Sequence, residues 1–174
     1  MTSRKRYDLV LAVYPNTRGF AFVLFEGPLS PVDWGVIEVR GKDRMRQCLR
    51  RIGSIFGQYA PDALILQNMS EGGTRRARRI RGLNEAIEVL AGTQDIPVFA
   101  YSRAQVREIF ARVGLFTKHG IAQSIARQIS AFERLVPPPR KIWKSEDVRM
   151  GLFDAAALVL TFFQTTDNGN RASV

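Results

Sequence analysis

Five arginines crowd one short stretch, "TRRARRIR" at 74–81, and a guanidinium suits phosphate above other partners. Its planar fork donates two parallel hydrogen bonds at once. Arg75, Arg76, Arg78, Arg79 and Arg81 would fill the first two turns of a helix, where the backbone dipole disfavours cations. An external anion would relieve that conflict, and the free N–H groups of a helix start bind phosphate as well. A plain solvated face is the alternative. Arg18, in a Pro-Asn turn, and Lys118, in "TKHG", add single cations. Arg140, Lys141 and Lys144 surround Trp143, whose ring could either stack on a base or anchor its linker to the domain. His119 could be a base or ligand, or a surface residue. One residue is awkward. Tyr14 ends an apolar run just before "PNTRG", where a sheet usually presents its chemistry.

The elements that would hold these residues follow from hydrophobic pattern. Residues 8–14, 20–25 and 34–39 read as three strands joined by short turns. Met45, Leu49, Ile52 and Phe56 recur at helical spacing, which predicts a helix over 43–59 ending before Pro61, with Cys48 on its apolar side. "ALILQN" (63–68) is a continuous apolar run of the kind buried on both faces of a sheet. Ala77, Ile80, Leu83, Ile87 and Leu90 make the stripe of a second helix closing near Gly92. "IPVFAY" (96–101) is another strand. Ser102 with Gln105 forms a capping box, and Thr117 caps a further helix with Phe116 and Ile121 placed as a hydrophobic staple. "VPPPRK" is a stiff extended link. The last helix is expected from about Asp154, with Asp154 either its cap or a functional acid; Ser145 reads as a cap with Glu146 and Asp147 in a first turn.

Three meandering strands followed by alternating strands and helices imply an α/β layered domain with a mixed sheet. The first strand would be central, its C-terminal end facing a ligand crevice. Residues 1–6 read as a basic arm, 7–165 as one domain and 166–174 as a flexible tail. At 174 residues one domain accounts for the whole chain, and 45% hydrophobic with 24% charged residues is ordinary for a globular protein. No apolar run approaches the roughly 18 residues that span a bilayer. Pro15 cuts short the only N-terminal apolar stretch, which argues against a secretory signal. A single cysteine precludes an internal disulfide and fits a reducing cytoplasm. One His and one Cys are too few for a structural zinc site. The net charge of +10 is the informative quantity: it points to a polyanion, most directly nucleic acid.

The order and spacing of "AVYPNTRGFAFVLF", "QYAPDALILQN", "IPVFAYSRAQVREIFARVG", "TKHGIAQSI" and "FDAAALVLTFF" resemble the RuvC-type Holliday-junction resolvases of the ribonuclease-H-like superfamily, over roughly residues 7–164. The resemblance implies a three-layer α/β fold, a five-stranded mixed sheet with helices on both faces, dimeric assembly and Mg²⁺- or Mn²⁺-dependent cleavage of branched DNA. Such cleavage needs clustered carboxylates to hold two divalent ions about 4 Å apart. The family's four acids fall on Tyr14, Gln67, Gly151 and Asp154, and only Asp154 keeps a carboxylate. Tyr and Gln offer neutral oxygens, which do not balance the ions' charge at neutral pH. Lys118 falls at the family's basic position near the cleft.

Three functions remain in view at this point. The first is a catalytically degenerate RuvC-like protein that binds structured or branched nucleic acid, DNA ahead of RNA, with cleavage lost or supplied by a partner. The second is an active endonuclease whose metal ligands have moved to Asp154, Asp147, Glu146 and Glu71. The third is a non-catalytic assembly subunit for a protein or RNA partner.

Overall fold

The computed structural model describes residues 6–69 and 73–171. Among these residues the chain forms β1 (Leu9–Pro15), β2 (Gly19–Glu26), β3 (Pro31–Glu38), α1 (Arg44–Tyr59), β4 (Ala63–Asn68), α2 (Arg75–Thr93), β5 (Val98–Ser102), α3 (Arg103–Ala111), α4 (Lys118–Gln128) and α5 (Met150–Arg171). A 3-10 turn lies between α4 and α5, at Ser130–Leu135. The sheet order is β3-β2-β1-β4-β5. The two hairpins pair antiparallel, while β1 with β4 and β4 with β5 run parallel, so the sheet is mixed and β1 is central, as its apolar sequence predicts.

Alternation along β1 sends its side chains to two separate cores. Leu11 and Val13 pack with Cys48, Ile52 and Phe56 of α1 and with Leu83, Ile87 and Ala91 of α2. Val10 and Ala12 pack with Ile121, Ala122 and Ile125 of α4 and with Phe153, Ala156 and Val159 of α5. A strand covered on both faces must be apolar throughout, which is why β1 and β4 read as unbroken hydrophobic runs. Each fully buried Leu, Ile or Phe contributes about 1.5–3 kcal/mol of transfer free energy. Phe132 knits the second core together, its ring centroid 5.2 Å from Trp34 and 6.1 Å from both Phe25 and Phe153.

The β1–β2 turn is closed by Asn16, whose side-chain oxygen accepts from the backbone N–H of Arg18 at 2.8 Å and of Gly19 at 2.9 Å. Gly19 is required by close approach: a Cβ there would lie 1.9 Å from the carbonyl oxygen of Ile37 on β3. The capping box at Ser102 and Gln105 is formed in both directions. Thr117 caps α4 by accepting from Gly120 N–H at 3.0 Å.

Several expectations are corrected. Met45 is 46% exposed rather than core, and Cys48 takes the buried position on α1. Phe116 is 75% exposed, so it does not staple down over Ile121. The fifth strand begins at Val98, because Ile96 turns inward to the α2 core. Ser145 caps nothing: α5 begins at Met150, entered through turn bonds such as Met150 N–H to the Asp147 carbonyl at 3.0 Å. Asp154 therefore lies inside the helix and is not its cap. At the other end α5 continues to Arg171, past the start of the expected tail. Thr165 and Thr166 donate their hydroxyls back to the carbonyls of Thr161 and Phe162, at 2.7 and 2.8 Å, along that extension. Most of the expected basic arm, residues 1–5, and Glu71 lie outside the described residues. No described helix is long and apolar enough to cross a membrane.

Candidate nucleic-acid interface and the adjoining crevice

β1 and β4 run parallel, so their C-terminal ends, Tyr14 and Gln67, come out at the same edge. α5 crosses β1 and presents Asp154 to the same place. Tyr14, Gln67, Lys118 and Asp154 line one small cavity of about 60 Å³, with Arg103 and Arg107 at its wall. That is room for a few waters, each needing roughly 15 Å³. Gly151 completes the group: a Cβ on it would meet Tyr14 Cδ1 at 3.8 Å and Ala21 Cβ at 3.2 Å. The four positions singled out in the sequence therefore converge, with the Tyr14 ring set beside a residue that has no side chain.

The charge arrangement is compact. Lys118 Nζ lies 3.1 Å from Asp154 Oδ2 and 2.6 Å from Glu146 Oε1. Burial pushes the Asp154 carboxyl up to about 6, even though Lys118 pulls it down. Burial, reinforced by the nearby Asp154 charge, pushes the Tyr14 phenol up to about 12, so this ring is neutral across the physiological range. Burial pulls the Lys118 ammonium down, but Asp154 and Glu146 more than offset it and hold it above its ordinary value. Asp147 faces elsewhere. Its carboxylate accepts from Arg149 Nη2 at 2.7 Å and Nε at 3.0 Å, which holds it below the usual carboxylate range.

These donors do not fit a pair of divalent ions. Among the described residues no group of three or more His, Cys, Asp or Glu side chains stands together as a cage. The inward carboxylate already has an ammonium as its counter-ion. Of the relocated set, Asp154 and Glu146 share Lys118 while Asp147 is engaged by Arg149.

The remaining predicted cations are gathered by the fold into a band across this edge. Arg18, Lys118, Arg140, Lys141 and Lys144 border one broad basin of about 610 Å³, floored by the proline link and lined also by His119, Glu146 and Asp147. Lys118 thus belongs both to the crevice and to this basin. On the far side of the β1–β2 turn, Arg76 and Arg79 border a second basin of about 350 Å³. Asn16, Thr17 and Gly19 wall the second basin while Arg18 faces the first, so the turn is the divide between them. Arg75 and Arg78 are exposed on the adjacent face of α2, and Arg81 is half-buried. Trp143 is 78% exposed, with Lys141 Nζ 5.7 Å from its ring centroid, so it does not anchor the link.

Sequence reasoning missed three cations. Arg44 lines the second basin and donates to the Thr17 carbonyl at 3.2 Å. Arg103 and Arg107 stand at the crevice, and the signal for both was their place in the first turns after the Ser102 cap.

The fold defined by this sheet order and these helices is the ribonuclease-H-like fold of the RuvC type. The chain superposes on Thermus thermophilus RuvC in complex with a Holliday junction substrate with a TM-score of 0.68, at 19% identity, covering 92% of this chain and 96% of that one. A second Thermus thermophilus RuvC structure gives 0.63 at 20% identity over the same shares. The yeast mitochondrial Holliday junction resolvase Ydc2 gives 0.67 at 13% identity, covering 98% of this chain and 85% of that one. No protein-family model and no curated protein sequence matches the chain.

Proposed function

We propose that this protein binds structured or branched nucleic acid, DNA ahead of RNA, along the basic band, and that it does not cleave it by a two-metal route. The observation that carries the second half is the 3.1 Å contact between Lys118 and Asp154. The sole acid remaining at the four family positions is neutralised internally, beside a phenol, an amide and a glycine. The first half rests on the band itself, which sits at the C-terminal edge of β1 and β4 on a fold shared with a resolvase solved on a Holliday junction. Phosphates passing over this edge would meet guanidinium and ammonium groups on both sides of the β1–β2 turn, while Lys118 braces the crevice between α4 and α5.

Gel-shift titration of a four-way junction over a range of salt tests this reading, with the same mixtures incubated in Mg²⁺ or Mn²⁺. Affinity should fall steeply with salt, by a slope of about −0.9 for each phosphate contacted. Replacing Arg75, Arg76 and Arg79 together by Ala should weaken binding across sequences and flatten that slope by up to about 2.7. Strand cleavage abolished by Asp154→Ala would overturn the non-catalytic reading. Affinity indifferent to salt would overturn nucleic acid as the partner and favour a protein one.

A further inference from the structure

The second basin has a composition the band alone does not explain. Its rim carries Arg44, Arg76 and Arg79, and among the described residues no carboxylate lines it. Its floor is apolar: Val39 and Leu83 are buried at 6% and 7% exposure, and Met45 lines the basin at 46% exposure. A surface that merely tracks a phosphate backbone has no use for an apolar floor, because phosphates and sugars stay hydrated. At about 350 Å³ the basin falls in the range of small-ligand pockets, roughly 300–1,000 Å³. Flat guanidinium groups over aliphatic and thioether surface suit a planar heterocycle that carries its own phosphate. Arginine planes stack on bases and fork onto phosphates, while methionine adapts to the ring edge.

We propose that this basin receives one unstacked nucleotide of the bound strand, its base between Met45 and the arginine planes and its phosphate against Arg44, Arg76 and Arg79. The proposal rests on the nucleic-acid reading above and deepens it. The basin adjoins the β1–β2 turn on which Arg18 stands, so a strand crossing the band would pass its mouth. Residues that break stacking order, such as those at a branch or bulge, supply such a nucleotide at the least cost. The pocket would thereby favour distorted over regular duplex without reading sequence.

Two duplexes separate the outcomes. One carries a single-nucleotide adenine bulge; the other carries the same bulge with an abasic sugar, which keeps the phosphate and removes the base. Stacking of a single base on such a surface predicts roughly tenfold tighter binding of the adenine bulge. Met45→Trp, which fills the opening from an exposed position, should bring the two affinities together. Arg44→Ala should narrow the ratio as well. Adenosine monophosphate should compete away the gain while leaving the abasic duplex bound. Equal affinity of the wild type for both duplexes would overturn the pocket and leave the basic band standing. Failure to bind either duplex would overturn the band itself. Binding of adenosine monophosphate with no gain from the bulged base would assign the pocket to a free nucleotide and overturn the in-strand proposal.

Discussion

At the scale of single residues, the crevice is a set of mutual adjustments around one carboxylate. Asp154 titrates near 6 in the fold against an ordinary 3.8, so between those values the folded state holds a proton that the unfolded chain has released. Stability attributable to this group therefore falls as pH rises through about 4 to 6, and it stays at the lower level above that window. Urea unfolding at pH 4 and pH 7 should show the wild type losing about 3 kcal/mol at most relative to Asp154→Asn across the interval. Parallel pH dependence in the two proteins would refute the assignment. Part of this was legible in the sequence. Tyr14 and Gln67 stand at strand ends that the apolar runs mark clearly, so their chemistry could be judged before any coordinates. The Lys118–Asp154 pair could not be read, because it joins residues on α4 and α5 whose approach is set by packing against the sheet. The misreading of Ser145 has a similar cause. A Ser followed by two acids satisfies the capping rule locally, but Asp147 is drawn to Arg149 instead, and the chain stays non-helical until Met150.

Elements show the same division between local and tertiary causes. The strands were legible almost to the residue where both faces are covered, as in β4, since burial leaves no room for polar positions. Caps were legible where the capping side chain and its donor are near neighbours, as at Ser102 and Thr117. The start of α5 was not, because Gly151 is a poor helix residue by propensity, and its close approach to β2, where an added Cβ would lie 3.2 Å from Ala21 Cβ, is a tertiary feature. Met45 kept its helical spacing but faces the opening of the second basin, a distinction no periodicity contains. The β1–β2 turn is the element on which the proposed interface depends most. It divides the two basins and holds Arg18 toward the first, and its return is pinned by Gly19 against the Ile37 carbonyl. Gly19→Ala forces a backbone shift at that contact and should destabilise the protein by at least about 2 kcal/mol in urea. A loss under 0.5 kcal/mol would mean that the turn can relax and that its geometry does not fix Arg18.

For the molecule as a whole, the two faces of the sheet carry two separate cores. α1 and α2 cover one side of the sheet, α3, α4 and α5 the other, and the cations collect where both groups meet the C-terminal edge of β1. The sequence carried the charge and the layers; their coincidence at one edge is a property of the topology. The positions of the two tryptophans have a further consequence. Trp34 packs edge-on against Phe132 at the margin of the α5 core, whereas Trp143 stands in solvent on the basic link. One indole thus reports the integrity of the core and the other the occupancy of the proposed interface. Under a common excitation, urea should red-shift the emission of Trp34, while DNA should quench Trp143 in the still-folded protein. Quenching that survives intact in Trp143→Phe would show that the strand runs elsewhere. The chain carries, in its own absorbing groups, a way to watch folding and binding separately without attaching a label.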